Sequence, residues 1–194
     1  MAPSVSTELT SDSQAKLLTI ARDSIQHGLA NSSSLRVSVE ELPEVLLVQR
    51  GVFVTLTLEQ KLRGCIGNMA ATDPLPVAVS DAAFSAAFRD PRFTPLEAEE
   101  LPQTRIEISV LSPSETLAVD NRYQLLEQLV PGVDGLVLRD GRHRATFLPK
   151  VWEQLPVADA FLEQLLHKAG LPGDHWSETL CFERYYATSF CEPV

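Results

Sequence analysis

The sequence lacks the features that mark disulfide-stabilised, secreted and membrane-spanning proteins. It has only three cysteines, an odd number without a Cys-x-x-Cys pair, which argues against a disulfide framework and fits a reducing compartment. No stretch approaches the roughly 18 apolar residues that a membrane helix needs. The N-terminus also has no basic segment followed by an apolar one, as a secretory signal would. We therefore expect a cytoplasmic protein that does not act at a membrane.

The motifs of the common cofactor sites are missing as well. The chain has no phosphate-binding Gly-x-x-x-x-Gly-Lys loop, no Gly-x-Gly-x-x-Gly after a strand, no His-Glu-x-x-His and no Gly-x-Ser-x-Gly. We therefore expect no cofactor and no metal. A formal charge of -10 repels polyanions, and the basic run Arg139, Arg142, Arg144 and Lys150 is typical of a solvated hairpin face. Nucleic-acid binding is thus the least favoured function.

The apolar residues of this 194-residue chain are enough for one substantial core or two small lobes, since 44% of its residues are hydrophobic. Residues 1–12 are polar and aperiodic, which indicates a flexible tail before a helix that Ser13 caps. Helical spacing follows at Leu17, Leu18, Ala21, Ile25 and Leu29. Three further helices are predicted, one from Asp73-Pro74 to Phe88, a short one from an Asp120 cap through Leu129, and one over Ala158–Ala169.

Strand patterns occur in adjacent pairs. Residues 51–58 alternate between two faces, and Glu59-Gln60-Lys61 predicts a turn into a second strand. Residues 105–111 alternate in the same way, and a hairpin is predicted around Asp140-Gly141. The segment Thr179–Phe190 indicates one closing strand. Adjacent pairs favour an α+β fold with largely antiparallel sheets and packed helices over a doubly wound parallel sheet.

The most informative segment is the hexapeptide Leu62-Arg63-Gly64-Cys65-Ile66-Gly67. Its two glycines predict that the chain leaves the sheet here in a tight turn with exposed backbone. In such a turn, backbone N–H groups and Arg63 would stabilise a thiolate or a bound anion, which makes Cys65 a candidate nucleophile. The alternative is a small buried cysteine beside glycines that serve the turn, with Arg63 in a structural ion pair.

Two other segments supply candidate polar groups. Asp90 and Arg92 follow the end of the second predicted helix, where they either present charges to a site or only terminate the helix. Glu107 lies on the strand face opposite Ile106 and Ile108, so it is either a general acid or base or a solvated side chain. The four histidines provide no assigned base for Cys65.

Six ordered segments together resemble the AMMECR family. They are Gly51–Leu56, Leu62–Gly67, Ala86–Phe93, Ile106–Ser112, Pro131–Leu136 and Phe147–Trp152. The resemblance implies a single domain over residues 13–194 with two interleaved subdomains around a shared cleft, and a family of undefined biochemical activity. Family members also resemble one component of the AmmeMemoRadiSam grouping, in which they occur beside Memo-like and radical-SAM proteins.

Two functional hypotheses therefore remain open. The first is an enzyme or modification-pathway component in which Cys65 and Glu107 are catalytic. In it, a second set of residues binds an anionic small molecule; these are Arg63, Gly64, Gly67, Asp90 and Arg92. The second hypothesis is a non-catalytic adaptor that binds a ligand, or a Memo-like or radical-SAM protein, through the same corner.

Overall fold

The computed structural model describes residues 9–70 and 72–192, so residues 1–8 of the predicted tail lie outside the described residues. The first helix begins at Ser11 and its cap is Thr10, whose hydroxyl oxygen accepts a hydrogen bond from the Ser13 N–H at 3.3 Å. The prediction that Ser13 is the cap is therefore wrong. The four helices of this described part are α1 Ser11–Asn31, α2 Leu75–Phe88, α3 Arg122–Gln128 and α4 Ala158–Lys168.

Eight strands form two four-stranded sheets in the described residues. Their bounds are β1 Val52–Leu58, β2 Lys61–Asn68, β3 Thr104–Leu111, β4 Glu115–Leu117, β5 Gly135–Asp140, β6 His143–Phe147, β7 Cys181–Tyr185 and β8 Ala187–Cys191. The first sheet has the order β2-β1-β3-β8 and the second has the order β4-β7-β5-β6. Strand pairing is antiparallel, as in the β1–β2, β1–β3 and β5–β6 pairs. The predicted α+β class is confirmed.

The chain divides into two units, one for each sheet. The first unit runs to Leu111 and takes in the chain again from Thr188, whereas the second unit is Ser112–Ala187. The predicted closing strand over Thr179–Phe190 is wrong in one respect, because it is two strands, β7 and β8, in different sheets. None of the helices in the described residues has the length and apolar character of a membrane span.

The first sheet has two chemically different faces. Its inner face carries fully buried side chains such as Val54, Leu56 and Ile108, which belong to one core with residues of α1 and α2. Its outer face carries the alternate residues, including Thr55 and Glu107, which are half-buried. This is the alternation that the sequence predicts, since successive strand residues point to opposite faces.

The second unit has its own core. Buried side chains of β5 and β7 pack with the apolar side of α4, where Trp152 stacks on Phe161 with ring centroids 3.8 Å apart. The predicted β5–β6 hairpin is confirmed, but Asp140 pairs with His143, so its two-residue turn is Gly141–Arg142. The positive φ of 55° at Gly141 explains why glycine suits this turn.

Candidate functional site

The hexapeptide lies inside strand β2, so the predicted tight turn out of the sheet is wrong. A side chain at Gly64 would overlap the backbone oxygen of Ala86 in α2. A side chain at Gly67 would overlap the backbone of β1 and the ring of Phe53. The two glycines are therefore required because neighbouring backbone packs closely against β2, which leaves no room for a side chain.

Arg63 is the additional residue of a β-bulge. Gly64 lies opposite Leu56, but the next residue of β1, Thr57, lies opposite Leu62. Because one residue of β2 is left without a direct partner, every later residue of β2 is shifted by one position relative to β1. The shift brings Cys65 opposite Thr55 and places both side chains on the outer face.

The side chain of Arg63 forms the structural ion pair rather than an open anion site. Its Nε and Nη2 atoms each lie 2.8 Å from a carboxylate oxygen of Glu100, and its guanidinium also donates to the carbonyls of Thr94 and Pro95. The hydrogen bonds from Arg63 lower the pKa of Glu100. This bidentate contact ties the segment after α2 to the bulge, and only 12% of the Arg63 side chain is exposed.

Asp90 and Arg92 hold the backbone of Cys65 from both sides. The Cys65 N–H donates to Asp90 Oδ2 at 2.9 Å, and Arg92 Nη2 donates to the Cys65 carbonyl at 3.2 Å. Since β2 is an edge strand, these two backbone groups have no neighbouring strand to bind. The Asp90–Arg92 segment therefore closes the edge of the sheet at Cys65, and we call it the edge clamp.

Asp90 is the central group of the edge clamp. It is buried, with 4% exposure, and it accepts Arg92 Nε at 2.9 Å and Arg92 Nη2 at 2.7 Å. Hydrogen bonding from Arg92 is the largest cause that holds the pKa of Asp90 well below its usual value, with further support from the backbone N–H groups of Cys65 and Arg92. Asp90 is therefore an ionised acceptor at neutral pH, and not a proton donor.

The sulfur of Cys65 faces a hydroxyl group. Because the Cys65 backbone points away from β1 toward the edge clamp, Cys65 and Thr55 form a non-hydrogen-bonded cross-strand pair, in which side chains approach most closely. The Thr55 hydroxyl donates to Cys65 Sγ at 3.3 Å. The thiol is half-buried, so it is neither enclosed in the core nor fully exposed.

Glu107 continues the same row on the next strand. Thr55 lies opposite Cys65 on one side and opposite Glu107 on the other. We call Cys65, Thr55 and Glu107 the outer row. Its two ends are two strand spacings apart, or about 10 Å between Cα atoms. The outer row therefore brings the two predicted catalytic residues onto one face, with a hydroxyl group between them.

Some functional candidates were missed by sequence reasoning. Thr55 was identified only as a polar-face residue of β1, and a correct pairing of β1 with β2 would have located it beside Cys65. Glu100 had no sequence signal, because it lies 37 positions from Arg63. His143, which was left without a role, uses its Nδ1 to contact the carbonyl of Ala169 at 2.8 Å.

Within the described residues, no group of three His, Cys, Asp or Glu side chains is arranged to hold a metal.

Sequence comparisons match this chain to one family model and to relatives of similar length. A family model described as AMMECR1 matches residues 18–190. A protein of Methanothermobacter thermautotrophicus is 42% identical over 171 residues, which cover 86% of each chain. Protein MJ0810 of Methanocaldococcus jannaschii is 37% identical over 180 residues, which cover 89% of this chain and 86% of that one.

A solved structure agrees over a similar length. The crystal structure of an uncharacterized protein, PH0010 from Pyrococcus horikoshii, matches with a TM-score of 0.80 and 32% identity, covering 91% of this chain and 90% of that chain. The names of these proteins state no activity. Because the family model matches most of the chain and the relatives are well above 30% identical over most of their length, the chain belongs to the AMMECR1 family.

Proposed function

We propose that the protein is a cysteine-dependent enzyme in which Cys65 is the nucleophile and the outer face of the first sheet is the reaction surface. The observation that carries the proposal is the outer row itself. The thiol is half-buried, it receives a hydrogen bond from Thr55, and it shares its face with the carboxylate of Glu107. A nucleophile, an orienting hydroxyl and an acid or base are the groups that covalent catalysis requires.

The proposed step is attack by the Cys65 sulfur on an electrophilic carbon of the substrate. A sulfur–carbon bond forms, the leaving group departs with the bonding electrons, and Glu107, as the general base, takes up the thiol proton. Water then releases the bound group and returns the thiol. Thr55 orients the sulfur, so it is a positioning residue in this step.

The edge clamp supports the proposal because it fixes the backbone that carries the nucleophile. Both polar backbone groups of Cys65 are held, one by Asp90 and one by Arg92. A reactive group held within a fraction of an ångström gains the entropic advantage of fixed orientation.

An activated ester tests for nucleophilic attack directly. We expect para-nitrophenyl acetate to give a burst of nitrophenolate that approaches one equivalent of protein, with the acetyl group located on the Cys65 peptide by mass spectrometry. Cys65→Ala should abolish the burst. The matched control is Cys181→Ala, since Cys181 is exposed and lies in the second unit. A burst that persists in Cys65→Ala, or acetyl groups distributed equally among the cysteines, would contradict the proposal.

A second candidate function is a non-catalytic adaptor that binds a Memo-like or radical-SAM protein. The observation that favours it is that Arg63 and Arg92, the cations beside Cys65, are both engaged in ion pairs within the chain. Such contacts build a rigid surface without requiring chemistry. Purification of tagged protein from cells that contain these candidate partners distinguishes the two functions. An adaptor retains its partner in Cys65→Ala and shows no ester burst.

A further inference from the structure

We propose that Arg105 binds an anionic group of the substrate, and that the substrate extends along the outer face from Cys65 toward β8. This inference rests on the proposed reaction at Cys65 and adds its substrate class. The anionic group is a carboxylate or a phosphate, since both fit the planar fork of a guanidinium.

The arginines beside Cys65 already form ion pairs with carboxylates of the same chain. Arg63 holds Glu100 with two bonds of 2.8 Å, and Arg92 holds Asp90 with bonds of 2.9 and 2.7 Å. A substrate anion would have to displace a bidentate carboxylate to reach either guanidinium. The positive charge that the sequence offers near the hexapeptide is therefore used to build the edge of the sheet.

Arg105 lies on the outer face of the first sheet. It is an exposed residue of β3, two positions before Glu107, so its side chain points to the same side of the sheet. Its partner on β1 is Thr57, two positions after Thr55. Arg105 thus occupies the row next to the outer row.

Strand β8 is the neighbour of β3, the strand that carries Arg105, on the side away from β1. Ser109 and Ser189 share a hydroxyl hydrogen bond of 2.8 Å. Ile106 lies three residues before Ser109, and its carbonyl accepts a hydrogen bond at 3.1 Å from the N–H of Glu192. Glu192 lies three residues after Ser189, immediately past the end of β8. The two strands are therefore antiparallel, and Cys191 lies beside Glu107 at the far end of the outer row.

Neither of the two groups to which the Arg105 guanidinium donates is a carboxylate. Its Nη2 donates to Cys191 Sγ at 3.0 Å and its Nε donates to the backbone carbonyl of Glu192 at 3.2 Å. The carboxylate of Glu192 is engaged elsewhere, because Arg22 holds both of its oxygens at 2.6 Å. Arg105 is therefore oriented by a sulfur atom and a backbone carbonyl, and no carboxylate occupies its guanidinium.

The positions of these groups define the substrate. Cys65 and Arg105 lie two strand spacings and two residues apart, or about 12 Å between Cα atoms. Strand β1 lies between the strands that carry them, with Thr55 opposite Cys65 and Thr57 opposite Arg105. The favoured substrate carries its electrophilic carbon at one end and its anionic group on the order of 10 Å away, near Arg105.

Two aromatic disulfides of different charge test this inference. The disulfide of thionitrobenzoate is a dianion, and the disulfide of thiopyridine is neutral; each forms a mixed disulfide with a cysteine and releases one aryl thiolate. The readout is the second-order rate constant at Cys65 for each reagent, resolved by peptide mass spectrometry. The quantity that matters is the ratio of the anionic rate to the neutral rate.

We expect Arg105→Gln to lower this ratio about two- to fivefold, the size of one exposed charge contact, and Arg105→Lys to retain most of it. The effect should vanish in 1 M salt, where the screening length is about 3 Å. The matched control is Arg139→Gln, which removes an exposed positive charge in the second unit.

An unchanged ratio in Arg105→Gln, or an equal change in Arg139→Gln, would overturn the role of Arg105 while leaving the proposed reaction intact. Cys65 labelling that is slower than Cys181 labelling with both reagents would overturn the proposed reaction, and this inference with it.

Discussion

The two faces of the first sheet differ in what their residues do, although they are made by the same strands. On β3, the inner residues Ile106 and Ile108 are fully buried in the core, whereas Glu107 and Ser109 between them face outward. The residues that stabilise the core and the residues of the proposed reaction surface thus alternate, one position apart. Substitutions at neighbouring positions should therefore change either the stability or the proposed reactivity, but not both.

The largest expected effect is on the inner face. Ile108→Ala removes a fully buried side chain and leaves a cavity, so it should lower the free energy of unfolding by about 2–5 kcal/mol. Its matched control is Ser109→Ala on the same strand, which loses one exposed hydroxyl bond and should cost about 0.5 kcal/mol. Denaturant unfolding measures both variants. Similar losses in the two would show that the outer face is part of the core.

The next effect is at the edge clamp. Asp90→Asn removes the charge of a buried carboxylate that holds Arg92 and the Cys65 N–H, so it should cost about 2–3 kcal/mol at neutral pH. The matched control is Asp159→Asn, whose ion pair with Arg122 leaves the Asp159 side chain 60% exposed and is worth under about 1 kcal/mol.

The stability that the edge clamp contributes should also depend on pH. The pKa of Asp90 is lowered in the folded protein, chiefly by the hydrogen bonds from Arg92, so its contribution is fully present above the unfolded pKa of about 3.9. That contribution is lost as the pH falls toward the folded pKa. The difference in unfolding free energy between wild type and Asp90→Asn should therefore be constant above about pH 5 and shrink in acid. A difference that grows in acid would contradict the ionised clamp.

The smallest effect on stability belongs to the outer row. Thr55→Val keeps the size of the side chain and loses the hydroxyl that donates to Cys65, so the unfolding free energy should change by about 1 kcal/mol or less. The rate of the ester burst should fall about two- to tenfold, which corresponds to one hydrogen bond. Thr57→Val, two positions along β1 on the same face, is the control. Equal burst rates in both variants would remove Thr55 from the reaction.

The sequence predicted the elements of the first sheet better than it predicted the site. The alternation of β1 and β3 was sufficient to locate both strands and to orient Glu107. The β1–β2 turn pairs Leu58 with Lys61, and a regular hairpin from there would pair Thr55 with Gly64 and turn Cys65 toward the core. The bulge at Arg63 reverses this orientation, and no local pattern announces a bulge.

The turn at the two glycines was mispredicted, and the partner of Arg63 was not identified, for a related reason. Two glycines near a cysteine are typical of a turn, but Gly64 is needed because the backbone of α2 passes close to β2. Likewise, the partner of Arg63 lies 37 positions along the chain. Contacts of this kind depend on the packed tertiary structure, so single-residue preferences do not reveal them.

The most direct test of the central claim compares two cysteines in one protein. Cys65 is half-buried and Cys181 is exposed, so exposure alone makes Cys181 the faster to react with iodoacetamide. The proposed reaction at Cys65 predicts the reverse order in the folded protein and nearly equal rates in denaturant, measured by peptide mass spectrometry at pH 7. Faster labelling of Cys181 in the folded protein would contradict a nucleophilic role for Cys65.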